Sequence, residues 1–400
     1  MAKYKMVPLG ENVEEMFIGP FGSSLKNENF VDFNEAYCMV YEQKHAIKKT
    51  MNLPTRYINK EKYDELKRFN IQGGDIIVSC RGTIGETYII PDDAPLGIMH
   101  PSIMKIRLKE GIYDKYYFNL LLNSRLNKHK VEANGSGIKM AISATELGKE
   151  LFPVPTMDEQ LKIADIIFKI SDIVKKRIKE LDTLDELVKA RFVEMFGSIS
   201  DGRFEMKTLP EIVNDDKKSI KRGPFGGALK KEDFVEDGYL VYEQRHAIHN
   251  DFNYAKYYIT KEKYENMIGF KVVPGDLIIS CSGTLGRIAE VPKSAKEGII
   301  NQALLKISLN QDIMLNTFFI QQFRGEEIQE ILFGFSRGSG IPNMPSMSEV
   351  KAVKFICPPI ELQNQFADFV YQIDKSKVAV QKALDEAQLL FDSLMQEYFG

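Results

Sequence analysis

Tyr41-Glu42-Gln43-Lys44-His45-Ala46-Ile47 is written a second time as Tyr242-Glu243-Gln244-Arg245-His246-Ala247-Ile248. Ser79-Cys80-Arg81-Gly82-Thr83-Ile84-Gly85 returns in the same way as Ser280-Cys281-Ser282-Gly283-Thr284-Leu285-Gly286. Both pairs lie 201 positions apart, half of the 400-residue chain. Solenoid repeats have periods of about 20–50 residues, so the unit duplicated here is a whole domain with its linker.

The correspondence extends outward from these two runs. Gly19-Pro20-Phe21-Gly22 with Leu25-Lys26 matches Gly223-Pro224-Phe225-Gly226 with Leu229-Lys230. Tyr57-Ile58-Asn59-Lys60-Glu61-Lys62-Tyr63 matches Tyr258-Ile259-Thr260-Lys261-Glu262-Lys263-Tyr264, and Gly135-Ser136-Gly137-Ile138 matches Gly338-Ser339-Gly340-Ile341. Even the ends agree, Glu194-Met195-Phe196-Gly197 against Glu397-Tyr398-Phe399-Gly400. Two copies in fixed order present two equivalent surfaces, suited to a partner with a repeat or a two-fold axis of its own.

Each globular half reads as mixed and strand-rich. Asp75-Ile76-Ile77-Val78-Ser79 and Asp276-Leu277-Ile278-Ile279-Ser280 are apolar runs behind Gly-Asp turns, and each is followed by a Gly-Thr-x-Gly turn. Helical patches are expected at Lys115–Asn127 and Leu315–Leu332.

Each half closes on a different kind of segment. From Asp158 to Phe196 there is no Pro or Gly. Ile167, Val174, Leu181, Val188 and Met195 are spaced by seven, with Ile170 and Leu184 between them and Arg177 and Arg191 at two seam positions. In the second segment Phe366, Val370, Ile373, Lys377, Val380, Leu384, Ala387, Phe391, Leu394 and Tyr398 alternate spacings of four and three. That is coiled-coil periodicity. Pro155 and Pro359 stand just ahead, where helix starts tolerate proline. A helix of about 40 residues is about 60 Å long and cannot bury such a stripe alone, so the two are expected to pair antiparallel.

Composition narrows the function. With 44% hydrophobic and 27% charged residues the chain reads as globular. It contains no apolar run of membrane-spanning length, and Met1–Gly10 lacks the apolar core of a secretory signal, so a cytoplasmic location is expected. Cys38, Cys80, Cys281 and Cys357 form no Cys-x-x-Cys pair, which favours free thiols over disulfides or zinc. The net charge of −3 gives no long-range basic field, so any nucleic acid must be held by local contacts.

The order of half, helix, half, helix resembles the DNA-specificity subunit of type I restriction–modification systems, over essentially the whole chain. The stretches that carry the resemblance are Leu187–Gly197, Leu362–Ala367, Phe391–Gly400 and the Gly-Asp-Ile-Ile-Val-Ser-Cys-x-Gly-Thr-x-Gly run. The resemblance implies an α+β chain: two homologous strand-rich α/β target-recognition domains, residues 1–157 and 198–357. Two long antiparallel coiled-coil helices, 158–197 and 358–400, would separate them with pseudo-two-fold symmetry. It also implies partners: double-stranded DNA, two methyltransferase subunits carrying S-adenosylmethionine and acting on adenine N6, and restriction subunits using ATP and Mg. No cofactor is expected in this chain itself.

The residues agree with a non-catalytic role. There is no Asn-Pro-Pro-Tyr-like methylation loop and no Gly-x-Gly fingerprint behind a strand, and Gly19–Lys26 misses P-loop spacing and reads as a tight turn. Five histidines are too few and too scattered for a zinc site. The candidates for DNA contact are three clusters present in both halves. The first is Gln43, Lys44 and His45 with Gln244, Arg245 and His246; Gln suits adenine, and Lys or Arg suits guanine or phosphate. The second is Arg81 and Thr83 with Ser282 and Thr284, where glycine lets backbone amides approach a phosphate. The third is Ser136 and Lys139 with Arg337 and Ser339 in Gly-Ser-Gly loops. His100-Pro101-Ser102 against Asn301-Gln302-Ala303 marks a difference between the halves. Two rivals stand beside this reading: an enzyme with Cys80–His45 and Cys281–His246 nucleophile pairs, and a scaffold whose halves bind protein.

Overall fold

Ile76–Ser79 and Leu277–Ser280 form the strands that the Gly-Asp turns predict. In each turn the glycine takes a positive φ, 84° at Gly74 and 87° at Gly275. The aspartate then reaches back: Asp75 accepts the Gln72 amide at 2.9 Å and Asp276 the Val273 amide at 2.8 Å. The turn is therefore closed by its own side chain, and the strand that follows is buried at every residue. The computed structural model describes residues 4–136, 143–216, 218–225, 227–334 and 344–400, with the backbone alone for 128–136. It divides into two units, Met1–Arg177 with Ala383–Gly400, and Ile178–Lys382.

In the first unit an antiparallel sheet runs in the order Val13–Ile18, Ile103–Leu108, Ile76–Ser79, Thr87–Ile89. A second sheet runs Tyr57–Ile58, Cys38–Tyr41, Gly97–Met99, Asn70–Ile71, and its central pair is parallel, with Tyr41 opposite Met99. Gly97 is required there: a Cβ would stand 2.6 Å from the Met39 carbonyl oxygen. Lys5–Pro8 pairs with Leu151–Val154 and closes the domain at its ends.

The second unit repeats the plan. Ile220–Arg222, Leu304–Ile307, Leu277–Ser280 and Ile288–Glu290 make the antiparallel sheet. Tyr239–Tyr242 and Gly298–Ile300 make the parallel pair, with Tyr242 opposite Ile300. The buried tyrosines are held alike: Tyr41 Oη donates to the Pro95 carbonyl and Tyr242 Oη to the Lys296 carbonyl, both at 2.5 Å. The helical patches differ. The first unit has one helix, Lys115–Ser136, whereas Gly325 breaks the second into Asn316–Arg324 and Glu326–Phe333.

Two 40-residue helices, Met157–Phe196 and Ile360–Phe399, join the units and contribute to both. Thr156 and Glu159 form a capping box at the start of the first, the Thr156 amide donating to Glu159 Oε2 at 3.0 Å and the Glu159 amide to Thr156 Oγ1 at 3.4 Å. The expected seams face inward along their length. Ile163, Ile167, Ile170 and Val188 are buried on the first helix, and Phe366, Ile373 and Val380 on the second. Val174, Arg177, Leu181, Leu184, Leu384 and Phe391 are half-buried. In the second unit Phe192 meets Phe366 at 5.4 Å, and Lys377 Nζ pairs with Asp185 at 2.6 Å. Rising numbers on one helix thus meet falling numbers on the other, which is antiparallel pairing. In the first unit Phe391, Leu394 and Phe399 join the core of Ile163 and Ile167. Burying one such side chain contributes about 1.5–3 kcal/mol, so the stripe, and not helix propensity, holds the pair together.

Candidate nucleic-acid interface

Three chain segments meet on one turn in the first unit. The His100 amide donates to the Tyr41 carbonyl at 2.8 Å, the Cys80 amide to the Ser102 carbonyl at 2.9 Å, and the Gly19 amide to the Ile103 carbonyl at 3.0 Å. The turn His100–Ser102 therefore gathers Gln43–His45, Arg81–Thr83 and the Gly19–Gly22 loop. The second unit makes the same three bonds, Asn301 to Tyr242 at 2.9 Å, Cys281 to Ala303 at 2.8 Å and Gly223 to Leu304 at 2.9 Å. The first two clusters of the sequence reading are thus brought together in both units.

Gln43–Lys48 and Gln244–His249 are single-turn-and-a-half helices, which explains the shared His. Its Nδ1 accepts the amide of Glu42 or Glu243 at 2.9 Å, closing the helix N-terminus. His45 and His246 are consequently buried, at 0% and 1% exposure, and face inward. Burial lowers the His45 pKa, in keeping with a neutral ring accepting at Nδ1. His246 Nε2 donates to the Tyr254 carbonyl at 2.9 Å, whereas His45 Nε2 is buried without a hydrogen-bond partner.

The polar groups around the turn carry charge. Lys44 pairs with Glu42 at 2.7 Å, and Arg56 pairs with the same carboxylate. Burial acts to raise the Glu42 pKa, but the Lys44 and Arg56 hydrogen bonds outweigh it and hold the carboxyl below its ordinary range. Burial lowers His100, and the charges of Arg56, Arg81 and Lys44 push it the same way. Those three cations and the Glu42 carboxylate therefore all act on His100, Glu42 in the opposite direction. Arg81 and Thr83 are exposed on a turn whose Gly82 has φ 68°.

The second unit arranges its cations differently. Arg245 is exposed, with its guanidinium 4.3 Å from the Tyr254 ring centre. Ser282 Oγ donates to Gln244 Oε1 at 3.4 Å, and Thr284 is exposed. The matching Gln43 Oε1 is buried and has no such partner. Arg222 lies 5.3 Å from the Phe225 ring centre. Of the third cluster, Ser136 is the last residue of the helix Lys115–Ser136, and Lys139, Arg337 and Ser339 lie outside the described residues.

Arg56, His100 and Arg222 are additions the sequence reading did not make as contact residues. Arg56 stands where the second half has Tyr257, and Arg222 where the first has Ile18. A search led by repeated residues passes over both. The nucleophile reading is overturned. Cys80 and Cys281 are buried, and burial pushes each thiol up to about 12, so both stay protonated. Among the described residues no group of His, Cys, Asp and Glu could hold a metal ion, and no helix is long and apolar enough to cross a membrane.

Comparison with known proteins places this geometry. The family model "Type I restriction modification DNA specificity domain" matches residues 17–183 and again 220–387. The MjaIX type I restriction enzyme specificity subunit of Methanocaldococcus jannaschii is 21% identical over 341 residues, covering 80% of this chain and 76% of that one. Among solved structures, the type I restriction–modification S subunit of M. genitalium superposes with a TM-score of 0.55 at 15% identity, over 100% of this chain and 97% of that one. A chain from a structure of complex assembly and conformational transition in a type I R-M system gives 0.61 at 14% identity, over 100% and 98%. These structural matches are agreements of fold.

Proposed function

This chain belongs to the type I restriction modification DNA specificity family, as a sequence-specific DNA recognition subunit without catalysis of its own, and from that premise we propose that each unit reads one half of a bipartite target. The observation that carries this reading is the turn at His100 and its counterpart at Asn301, each gathering the same segments in the same order. Gln43, Lys44, Arg81 and Thr83 face one half-site, with Arg56 added. Gln244, Arg245, Ser282 and Thr284 face the other, with Arg222 added. His45 and His246 hold the turn from behind. Ser136, Lys139, Arg337 and Ser339 stay candidates on sequence grounds.

The long helices set the gap between half-sites and carry two methyltransferase subunits, whose S-adenosylmethionine methylates an adenine flipped from the duplex. Restriction subunits, with ATP and Mg, complete the assembly. Apolar residues support a docking role: Phe168 on the first helix and Tyr371 on the second are 45% and 65% exposed.

The test is Lys44→Ala and Arg245→Ala in the assembled methyltransferase, read by methylome sequencing and salt-dependent binding. A base contact relaxes specificity at one position and costs about 1–3 kcal/mol. A phosphate contact weakens binding evenly and reduces the salt slope. Unchanged affinity, slope and methylation pattern in both variants contradict the assignment.

A further inference from the structure

The Gly19–Lys26 stretch reads in sequence as a tight turn. In the structure this stretch and the matching Gly223-Pro224-Phe225 each hold a phenylalanine out. Phe21 is 86% exposed and Phe225 64% exposed. The proline before each is buried, so the chain turns from the interior to solvent in one residue. Each phenylalanine carbonyl is the acceptor that closes the next turn, receiving the Ser24 amide at 2.8 Å and the Ala228 amide at 3.4 Å.

The loop cannot drift from the candidate interface. A Cβ on Gly19 would stand 2.3 Å from the His100 carbonyl oxygen, and one on Gly223 1.8 Å from that of Asn301. The backbone is pressed against the very turn on which the polar clusters meet. The loop that carries the ring is thus pinned to the His100 turn in one unit and to the Asn301 turn in the other, where Arg222 also stands beside the ring.

Single exposed apolar residues are ordinary on protein surfaces. The same ring at the same place in two copies, on loops pinned to the two polar turns, is not covered by that rule. Nor does local packing account for it: Phe33, also exposed, lies edge-on against Tyr57 at 5.3 Å, and Phe21 has no such ring contact among the described residues. Cations draw the sugar–phosphate backbone to this surface, but a phenyl ring gains nothing from a phosphate. Its favourable partners on a duplex are base faces at a step that opens.

We propose that Phe21 and Phe225 are apolar wedges, each pushed against a base step of the half-site read by its unit. The inference rests on the DNA-reading role of the two turns and adds a mode of contact to it. Arg222, 5.3 Å from the Phe225 ring centre, keeps a cation beside that ring for the adjoining phosphate. A step opened by the ring lowers the cost of extruding a neighbouring base.

The experiment uses the full chain assembled with its methyltransferase, and a duplex bearing the methylated site mapped from the host genome. 2-Aminopurine is placed in turn at each step of both half-sites. The expected result is a rise in fluorescence at one step per half-site, abolished in one half by Phe21→Ala and in the other by Phe225→Ala. Each variant binds roughly 5- to 100-fold more weakly. The salt slope stays at its wild-type value, because no phosphate contact is removed. Phe→Leu at either position keeps part of the affinity, since an apolar wedge remains. Unchanged affinity and fluorescence in both alanine variants overturn the proposal and leave the DNA-reading role intact. Normal DNA binding with failed methyltransferase assembly also overturns it, by making the ring a protein contact. Failure of the wild-type complex to bind the mapped site overturns the wedge and the reading together.

Discussion

The amide of Asp114 donates to Oε1 of the buried Gln160 at 2.9 Å. Gln160 Nε2 returns two bonds, to the carbonyls of Ile112 and Pro155, each at 2.9 Å. The first turn of a 40-residue helix is thereby clamped to a loop about 45 residues earlier. Gln363 does the same work in the second unit: it accepts from the Leu315 amide at 2.9 Å and donates to Ile313 at 3.0 Å and Pro358 at 2.9 Å. Each long helix therefore leaves its domain in a fixed direction.

Gln160→Leu keeps the bulk and removes all three bonds. A buried backbone group left unpaired costs about 1–3 kcal/mol, so the variant should unfold at clearly lower denaturant. Gln363→Leu should do the same for the second unit. A denaturation midpoint equal to wild type in both variants would falsify the clamp.

The helices predict a length effect. One heptad adds about 10.5 Å at 1.5 Å per residue, close to three base pairs of duplex at about 3.4 Å each. Deleting one heptad from each long helix should shorten the gap in the methylated target by about three base pairs and leave the half-site bases alone. A methylome with an unchanged gap sinks the ruler. Within the seam the costs should be graded. Phe366→Ala, at a fully buried site among Phe192, Phe196 and Phe318, should cost about 3–5 kcal/mol. A polar residue at the half-buried Leu181 or Leu384 should cost less.

His100 sets a pH dependence with a definite sign. Burial and the nearby Arg56, Arg81 and Lys44 place its folded pKa below the ordinary value of about 6.5. Between the folded and the ordinary pKa the unfolded chain binds a proton that the folded chain refuses, so stability falls as pH drops through about 6.5. His45, lowered by burial, acts in the same direction. His100→Asn, which copies the residue at Asn301, should flatten the loss of thermal stability between about pH 7 and about pH 5. Melting curves with the wild-type slope in this variant would show that His100 does not contribute.

The duplication, the helix seams and the Gly-Asp strands were legible because each is a local pattern repeated in one dimension. The inward turn of His45 was not. It follows Glu42, Gln43 and Lys44 and reads as one of that polar cluster, and only the three-residue reach from its Nδ1 to the Glu42 amide makes it part of the interior. Arg56 escaped notice for the opposite reason. It reaches Glu42 at the candidate interface from the position just ahead of Tyr57–Ile58, and nothing repeats it at Tyr257. Residues that act by convergence leave no periodic trace.

The shared residues predict the form of the target. Gln43 and Gln244, Lys44 and Arg245, and Thr83 and Thr284 occupy equivalent places on equivalent turns. Equivalent donors and acceptors in equivalent frames read the same base edges. Two homologous readers borne by an antiparallel helix pair read opposite strands, as two-fold dimers do on palindromic operators. The target should therefore be a short motif, a gap, and close to the reverse complement of that motif. The departures include Lys44/Arg245, Arg81/Ser282, His100/Asn301, Arg56/Tyr257 and Ile18/Arg222, and leave room for about one or two base changes, each worth about 1–3 kcal/mol. Ser282→Arg with Asn301→His should move the second half-site toward the first. By the same logic residues 1–200 should dimerise through the helix segment and support methylation of a fully palindromic site. Two unrelated half-sites in the methylome would break the step from shared residues to shared readout, and the recognition role would stand without it.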